Sequence, residues 1–156
     1  MELLQVLLEY NPLLDVPSTY EPSLPEATPL HLAVIRENLE GMKLLLSSGA
    51  DPDALMVEDI TPLHSAAAMG WPDGINALID AGASINARDA YTREMPLHKA
   101  ARNLQVDAID TLCIRGADID VKNIDGQKYE ALLDCARQYP DDWRVDTRLG
   151  SYCTFY

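Results

Sequence analysis

Apolar residues recur along the chain with the spacing of short amphipathic helices. Residues 2–9 (ELLQVLLE) are apolar at positions 3, 4, 7 and 8, which places these side chains on one face of a helix. Apolar runs within 42–46, 109–114 and 130–138 predict further helices. Residues 30–34 (LHLAV) predict a shorter helix whose small side chains allow neighbouring layers to pack closely. The pattern therefore predicts a chain of short helices.

These helices belong to a repeat of 33 to 34 residues. Residues 28–31 (TPLH) recur as 61–64 (TPLH) and 95–98 (MPLH), and a glycine follows each histidine by 18 residues. The three glycines are Gly49, Gly82 and Gly116. A fixed period of this length indicates a solenoid, in which each unit packs only on its neighbours.

Each repeat carries signals that begin and end helices. We expect Thr28 and Thr61 to cap the first helix of their repeats with the hydroxyl, followed by a proline at the first helical position, where no hydrogen bond is lost. Gly49 is expected to end the second helix because glycine adopts a positive φ without strain. Met95 replaces the capping threonine in the third copy, a loss that typically costs about 1 kcal/mol.

The two ends of the chain depart from the repeat. Residues 1–27 combine an apolar helix with a proline-rich loop, which is either a spacer or a contact surface. Residues 128–139 predict a helix without the preceding proline-leucine-histidine motif, as expected of a capping repeat that faces water. Residues 140–156 are an aromatic tail, which either folds over the last repeat or belongs to an incomplete helix of a longer protein.

The TPLH motif and the glycine in fixed register after it resemble the ankyrin repeat family. The resemblance implies an all-α solenoid of ankyrin type over residues 1–139, with full repeats at 28–60, 61–94 and 95–127. Partial or capping repeats are implied at both ends. The family pattern also implies a hairpin finger between successive repeats, and a concave groove built from the fingers and the first helices.

The first full finger departs from the family pattern. Residues 55–57 (LMV) are apolar where charged residues are usual, and Asp59 stands where a turn glycine is usual. Nothing in a stack of helices requires exposed apolar side chains at this place, so they indicate a contact surface.

The implied groove mixes cationic, aromatic and apolar side chains, a composition typical of protein interfaces. Within it, Trp71 either covers the stack or anchors a partner. Mapped position by position, the predicted groove residues are Leu55, Val57, Glu58, Ile60, Ala68, Met69, Trp71, Arg88, Ala90, Tyr91, Arg93, Glu94, Arg102, Asn103, Lys122 and Asp125.

The charge balance narrows the choice of partner. The chain has 25 acidic and 12 basic residues, a formal net charge of -13, which disfavours nucleic acid and anionic membranes. Its three cysteines are widely spaced and predict no disulfide framework, as in a reducing intracellular compartment, cytoplasm or nucleus. No apolar run reaches 18 residues. We expect a monomer that binds a protein or peptide, with a small molecule as the alternative ligand.

Catalytic and metal chemistry find little support in the sequence. His31, His64 and His98 occupy one motif position, and the resemblance implies that each bonds the finger backbone and ties the hairpin to a helix. Successive layers would hold them about 10 Å apart, too far to share a metal ion with bonds of about 2 Å. No phosphate-binding loop, zinc-protease motif or nucleophile elbow occurs. The sequence therefore predicts no metal and no cofactor.

Two functions remain open from the sequence. The favoured one is a scaffold or adaptor that presents its groove to a peptide or folded partner. The alternative is a protein whose groove, closed by the proline-rich loop or the aromatic tail, binds a small molecule or catalyses a proton transfer or cyclisation. Tyr91 with Arg102, or Glu94 with Arg93, would supply the acid and base if burial shifted their pKa values. An enclosed pocket would favour this alternative.

Overall fold

The computed structural model of the protein describes residues 26–124 and residue 126. Within this part the secondary structure consists of short helices, with one isolated bridge between Met56 and Ile60 and no extended strands. The helices are α1 (Pro29–Ile35), α2 (Leu39–Ser47), α3 (Pro62–Met69), α4 (Pro72–Asp80), α5 (Pro96–Arg102) and α6 (Val106–Ile114). The predicted all-α repeat fold is confirmed. The predicted helix of residues 2–9, the capping repeat at 128–139 and the tail at 140–156 lie outside the described residues.

The first helix of each repeat begins as the sequence predicts. Thr28 Oγ1 accepts a hydrogen bond from the backbone N–H of His31 (3.5 Å), and Thr61 Oγ1 accepts one from that of His64 (3.4 Å). The histidine side chains make a second hydrogen bond with the same threonines, in which Nδ1 of each ring accepts the backbone N–H of its threonine. This reciprocal arrangement satisfies two backbone donors at the helix start.

The third repeat keeps only half of this arrangement. The Met95 side chain makes no capping hydrogen bond, whereas the Met95 N–H donates to His98 Nδ1 at 3.3 Å. The predicted loss of the cap is therefore confirmed. Met95 is nevertheless buried, with 1% of its surface exposed, so its side chain contributes packing where threonine contributes a hydrogen bond.

Glycine ends the second helix of the repeat by adopting a left-handed conformation. At Gly49, φ is +95°, its N–H donates to the Leu46 carbonyl at 3.1 Å, and the Ala50 N–H donates to the Leu45 carbonyl at 3.0 Å. This pair of bonds satisfies carbonyls that the helix leaves open. The predicted glycine stop is confirmed.

The helices form two stacked rows. The first helices α1, α3 and α5 pack in succession, and the second helices α2, α4 and α6 form the other row. Fully buried leucines at 30, 63 and 97 recur in the first row, with alanine pairs at 66–67 and 100–101 that let the layers approach. The second row contributes Met42, Ile75, Leu78, Ile109 and Leu112 to the same core.

The histidines join each first helix to the finger that follows its repeat. Nε2 of His31, His64 and His98 bonds the backbone carbonyl of Ile60 (3.0 Å), Glu94 (3.1 Å) and Val121 (3.1 Å) respectively. Since Nδ1 accepts a backbone N–H, Nε2 carries the proton and donates to the carbonyl. Burial lowers the pKa of His31 and of His64, which keeps both rings neutral. The structural role expected of the histidines is confirmed.

Candidate functional site

Three fingers lie side by side along one edge of the stack. We call residues 51–60, 84–94 and 118–124 the first, second and third fingers, and together the finger row. The Ala90 N–H donates to the Glu58 carbonyl at 2.9 Å, and the Ile124 N–H donates to the Thr92 carbonyl at 2.8 Å. These two bonds couple the finger tips to one another. Groups attached to neighbouring tips therefore belong to one surface.

The tip of the first finger adopts an unusual backbone conformation. Residues Val57–Asp59 form a single 3-10 turn, and the Met56 N–H donates to the Ile60 carbonyl at 3.0 Å across its base. Glu58 and Asp59 both have positive φ, +70° and +56°. Asp59 occupies the position where the family pattern has glycine, so this tip stores backbone strain of about 1 kcal/mol or more. Such strain persists only where surrounding contacts fix the chain.

Large apolar side chains are exposed along the finger row. The exposed fraction is 53% for Leu55, 39% for Val57, 68% for Tyr91 and 61% for Ile124. The predicted exposure of Leu55 and Val57 is confirmed. Ile124 was not among the predicted groove residues, although its place beside the buried Asn123 marks it as the outward neighbour of an inward residue. Adjacent exposed apolar groups of this kind are typical of contact surfaces.

The carboxylates of the second finger are directed into the protein. Asp89 and Glu94 are 5% and 2% exposed. The Lys99 ammonium lies 2.6 Å from Asp89 Oδ2 and 3.2 Å from Glu94 Oε2. The Arg102 guanidinium donates to Glu94 Oε1, which also accepts from Asn123 Nδ2 at 3.4 Å. The five side chains form one network, which we call the Lys99 network, that joins α5 to the second and third fingers; its carboxylates are buried, whereas Arg102 is half in solvent.

Thr92 completes the surroundings of Asp89. The Thr92 N–H and hydroxyl donate to the two Asp89 oxygens at 2.8 and 2.6 Å. Burial raises the pKa of Asp89, but the hydrogen bonds from Lys99 and Thr92 and the Lys99 charge outweigh it and lower that pKa to about 2. Asp89 is therefore ionised at neutral pH and holds the turn of the second finger in place.

Burial of these carboxylates leaves the second finger cationic at its surface. Arg88 and Arg93 are exposed, as is Lys122 in the third finger. In the part of the chain that the structure describes, these three cations form no ion pair. Tyr91 stands exposed between the two arginines along the chain. The exposed residues of the second finger thus include one aromatic ring and two unpaired cations.

The predicted groove residues do not all join this surface. Ala68 and Met69 lie at the end of α3, and Trp71 precedes α4. An eight-residue helix is about 12 Å long, so these residues are at the opposite end of α3 from the finger attachment at Thr61. Asn103 follows α5 and donates from Nδ2 to the Lys99 carbonyl at 2.8 Å.

Other predicted residues also have structural partners. Glu94 is inside the Lys99 network rather than open to a partner, and Arg102 reaches it from α5 with its side chain half in solvent. Ile60 is half-buried and offers its carbonyl to His31. Ala90 is exposed and its N–H is taken by the first finger. Asp125 lies outside the described residues.

Trp71 packs over the stack. Its ring lies over Gly74, where an added Cβ would come within 2.1 Å of the ring, and it contacts the core from a half-buried position. The glycine in α4 therefore makes room for the indole. Of the two alternatives left open by the sequence, this geometry favours a covering role.

A cavity of about 180 Å3 lies away from the finger row. Its lining comes from the turns between paired helices, namely Gly70, Leu104, Gln105, Val106 and Asp107. It is open and polar and brings together none of the predicted acid–base pairs. It therefore gives no support to the small-molecule alternative.

Two further surveys of the described residues bear on function. Between residues 26 and 124, no group of three or more histidine, cysteine, aspartate or glutamate side chains is arranged to hold a metal ion. The helices in the same part of the chain are too short and too polar to cross a bilayer.

Comparisons with known proteins agree with the architecture. A family model described as ankyrin repeats (3 copies) matches residues 30–123. The Danio rerio protein named as palmitoyltransferase ZDHHC13 is 36% identical over 110 residues, which cover 70% of this chain and 17% of that protein. Fem-1 homolog A of Bos taurus is 40% identical over 79 residues, covering 42% of this chain and 12% of its own length. Ankyrin repeat and SOCS box protein 11 of Mus musculus is 31% identical over 101 residues, covering 65% of this chain and 31% of its own length. The chain thus spans less than a third of each of these relatives.

Proposed function

The chain belongs to the ankyrin repeat family, whose repeats are protein-interaction modules, and on this premise we propose that it is a scaffold or adaptor that binds a protein partner through the finger row. The partner is a folded protein or a peptide, and the binding form is a monomer in an intracellular compartment. The observation that carries the proposal is the exposure of Leu55, Val57, Tyr91 and Ile124 on fingers coupled by backbone hydrogen bonds.

Rigidity of the finger row supports the proposal. Each finger is held to a helix by a histidine and to the next finger by a backbone hydrogen bond. A surface fixed in this way loses little conformational entropy when a partner binds. The exposed tyrosine and arginines are the residue types that most often dominate binding energy at protein interfaces.

The relatives bear names of different kinds, as expected for a repeat module that occurs in proteins of different activity. Their names describe a palmitoyltransferase, a fem-1 homolog and a SOCS box protein, whereas the family model that matches residues 30–123 describes ankyrin repeats. Because the chain covers only 12% to 31% of these proteins, the activities in their names are not transferred to it. The shared repeats support recognition rather than a particular chemistry.

Site-specific photo-crosslinking tests the proposal. Benzoylphenylalanine would replace Tyr91 in one variant of the full chain and Ile114 in a control variant. Both residues are exposed, Tyr91 to 68% and Ile114 to 84%. Ile114 ends α6 in the second row of helices, away from the finger row. Irradiation in extract of the native cell should give discrete protein adducts from position 91 and few from position 114. Equal labelling from both positions, or none from position 91, would contradict the proposal.

A further inference from the structure

We propose that the finger row takes an extended peptide of dipolar charge, with a basic residue at the first finger, acidic residues at Arg88 and Arg93 of the second finger and at Lys122, and apolar side chains between them. This inference rests on the proposed function and specifies the chemistry of the partner. It is carried by the separation of charge along the row.

The first finger is acidic at its tip. Residues 51–60 contain no lysine or arginine. Asp53 is engaged by Ser84, through the Ser84 N–H at 2.8 Å and its hydroxyl at 2.5 Å. Glu58 and Asp59 remain exposed and form no ion pair within the described residues. Backbone hydrogen bonds from Met56 to Ile60 and from Ala90 to Glu58 hold the tip that carries them. A basic group of a partner is complementary to this end of the row.

The second finger and Lys122 offer the opposite charge, while the third finger also carries the exposed Asp118 and Asp120. The Lys99 network withdraws Asp89 and Glu94 from the surface, so Arg88 and Arg93 are the exposed charges of the second finger. Lys122 adds a third unpaired cation two residues before Ile124, whose N–H bonds the second finger. Three unpaired cations are therefore exposed on two adjacent fingers of a protein whose net charge is -13.

Apolar contacts lie between the two charged ends. Val57 precedes Glu58, whose carbonyl accepts from Ala90, and Tyr91 follows Ala90 directly. Ile124 is bonded to Thr92, the next residue along. The three exposed apolar side chains therefore sit at, or one residue from, the bonds that couple the fingers. Their burial by a partner contributes hydrophobic free energy to binding, whereas charged pairs at a surface contribute little.

The spacing of the fingers sets the spacing within the peptide. Packed helices are about 10 Å apart, and an extended chain advances about 3.3 Å per residue. A basic residue at the first finger and an acidic one at the second are therefore separated by about three residues. A segment of roughly six or seven residues reaches the third finger.

A uniform polyanion fits this surface poorly. Nucleic acid binds through many cations that follow its backbone, whereas here the exposed Arg88 and Arg93 lie between the acidic first finger and a third finger that carries Asp118 and Asp120. Long-range repulsion from the net charge of -13 adds to the mismatch. A short acidic stretch next to a basic residue meets both ends of the row without extending into repulsive surface.

Selection from a displayed random dodecapeptide library tests the inference. The full chain would be the target as wild type, as the Arg93→Glu/Lys122→Glu variant and as the Glu58→Lys/Asp59→Lys variant. Lys43→Glu is the matched charge-reversal control, because Lys43 is exposed on α2, away from the fingers. Thermal melting would verify that each variant is folded, and Arg93→Gln/Lys122→Gln replaces the first variant if reversal prevents folding.

We expect wild type and Lys43→Glu to enrich peptides with a basic residue about three positions from an acidic one. The Arg93→Glu/Lys122→Glu variant should lose the acidic preference and bind a wild-type-selected peptide at least tenfold more weakly. The Glu58→Lys/Asp59→Lys variant should lose the basic preference instead.

Two results would overturn the inference. Enriched peptides whose binding depends on Tyr91 but shows no charge order would refute the dipolar peptide and leave the finger row as a recognition surface. Failure of wild type to enrich any peptide would refute an extended-peptide ligand. The photo-crosslinking at position 91 then decides separately whether the proposed function stands, since it detects folded partners as well.

Discussion

The first and second fingers differ in whether their carboxylates are exposed or buried. In the first finger Glu58 and Asp59 remain in solvent on a strained turn, whereas in the second finger Asp89 and Glu94 are buried. Two features account for the difference: the first finger has Ile60 at the position of Glu94, and the helices that follow the two fingers differ. α5 carries Lys99 and Arg102, and the corresponding positions of α3 are occupied by a serine and an alanine.

The difference shows how a repeat can change its surface without changing its fold. Two cations on α5 pair with Asp89 and Glu94 and hold these carboxylates inside the protein. The two arginines of the second finger remain exposed. The surface charge of a finger is thus decided partly by the helix behind it.

Removal of the shared cation should destabilise the second finger most. Lys99→Met leaves Asp89 buried without its ammonium partner and leaves Glu94 with Arg102 and Asn123 alone. Loss of one member of a buried ionic network typically costs about 3–5 kcal/mol. Urea unfolding would measure the change in free energy, with Arg88→Met as a control for an exposed, unpaired cation that should stay within about 0.5 kcal/mol. Equal effects of the two substitutions would contradict the network.

Truncation of the residue that precedes the first helix should destabilise the protein more in the third repeat than in the second. Met95→Ala removes a side chain that is 1% exposed and should cost about 2–3 kcal/mol by leaving a cavity. Thr61→Ala removes the hydroxyl cap and should cost about 1 kcal/mol. Denaturant midpoints of the two variants, measured side by side, check the order. A smaller loss for Met95→Ala would mean that its packing does not replace the cap.

Acid should weaken the second finger in a defined pH range. The pKa of Asp89 is about 2 in the folded protein and near 3.8 in the unfolded chain, so the unfolded state takes up the proton first. The stability from this group, about 2 kcal/mol, is present above about pH 4 and is lost as the pH falls through 2. Unfolding free energies between pH 5 and pH 2 should fall less steeply for Asp89→Asn than for wild type. Asp59→Asn serves as the exposed control from the first finger, and an Asp89→Asn slope equal to wild type would refute the pKa assignment.

Relief of strain in the first finger should give the smallest effect. Asp59→Gly places glycine at a φ of +56°, which glycine adopts freely, and should raise stability by about 0.5 kcal/mol after the extra entropy of the unfolded chain is deducted. Differential scanning calorimetry would detect the accompanying rise in melting temperature. Arg93→Gly is the matched change in the second finger, where φ is +53°. A fall in stability of Asp59→Gly would show that the aspartate contributes contacts that outweigh the strain.

The sequence predicted the features that depend on local rules. The threonine caps, the proline at the helix start and the left-handed glycine after α2 each need only a few consecutive residues, and all appear where expected. The repeat period then placed the fingers, because a solenoid determines which segments are neighbours.

The sequence alone does not show which of the predicted groove residues have partners within the protein, because residues distant along the chain supply those partners. Glu94 was expected in the groove, yet Lys99, Arg102 and Asn123 converge on it from α5 and the third finger. Lys99 and Arg102 lie one and two turns into α5, and as cations they are possible partners for the carboxylates of the second finger. Only the fold shows that they face that finger. Ala68 and Met69 of the predicted groove lie at the end of α3, and Trp71 precedes α4, which the spacing of the repeats alone does not reveal.

Hydrogen–deuterium exchange of the full chain with a partner captured at position 91 tests the central claim most directly. Binding at the finger row predicts slower exchange in residues 51–60, 84–94 and 118–124, with little change in α4 and α6. Slower exchange confined to the outer helices, with the fingers unchanged, would contradict the finger row as the binding surface.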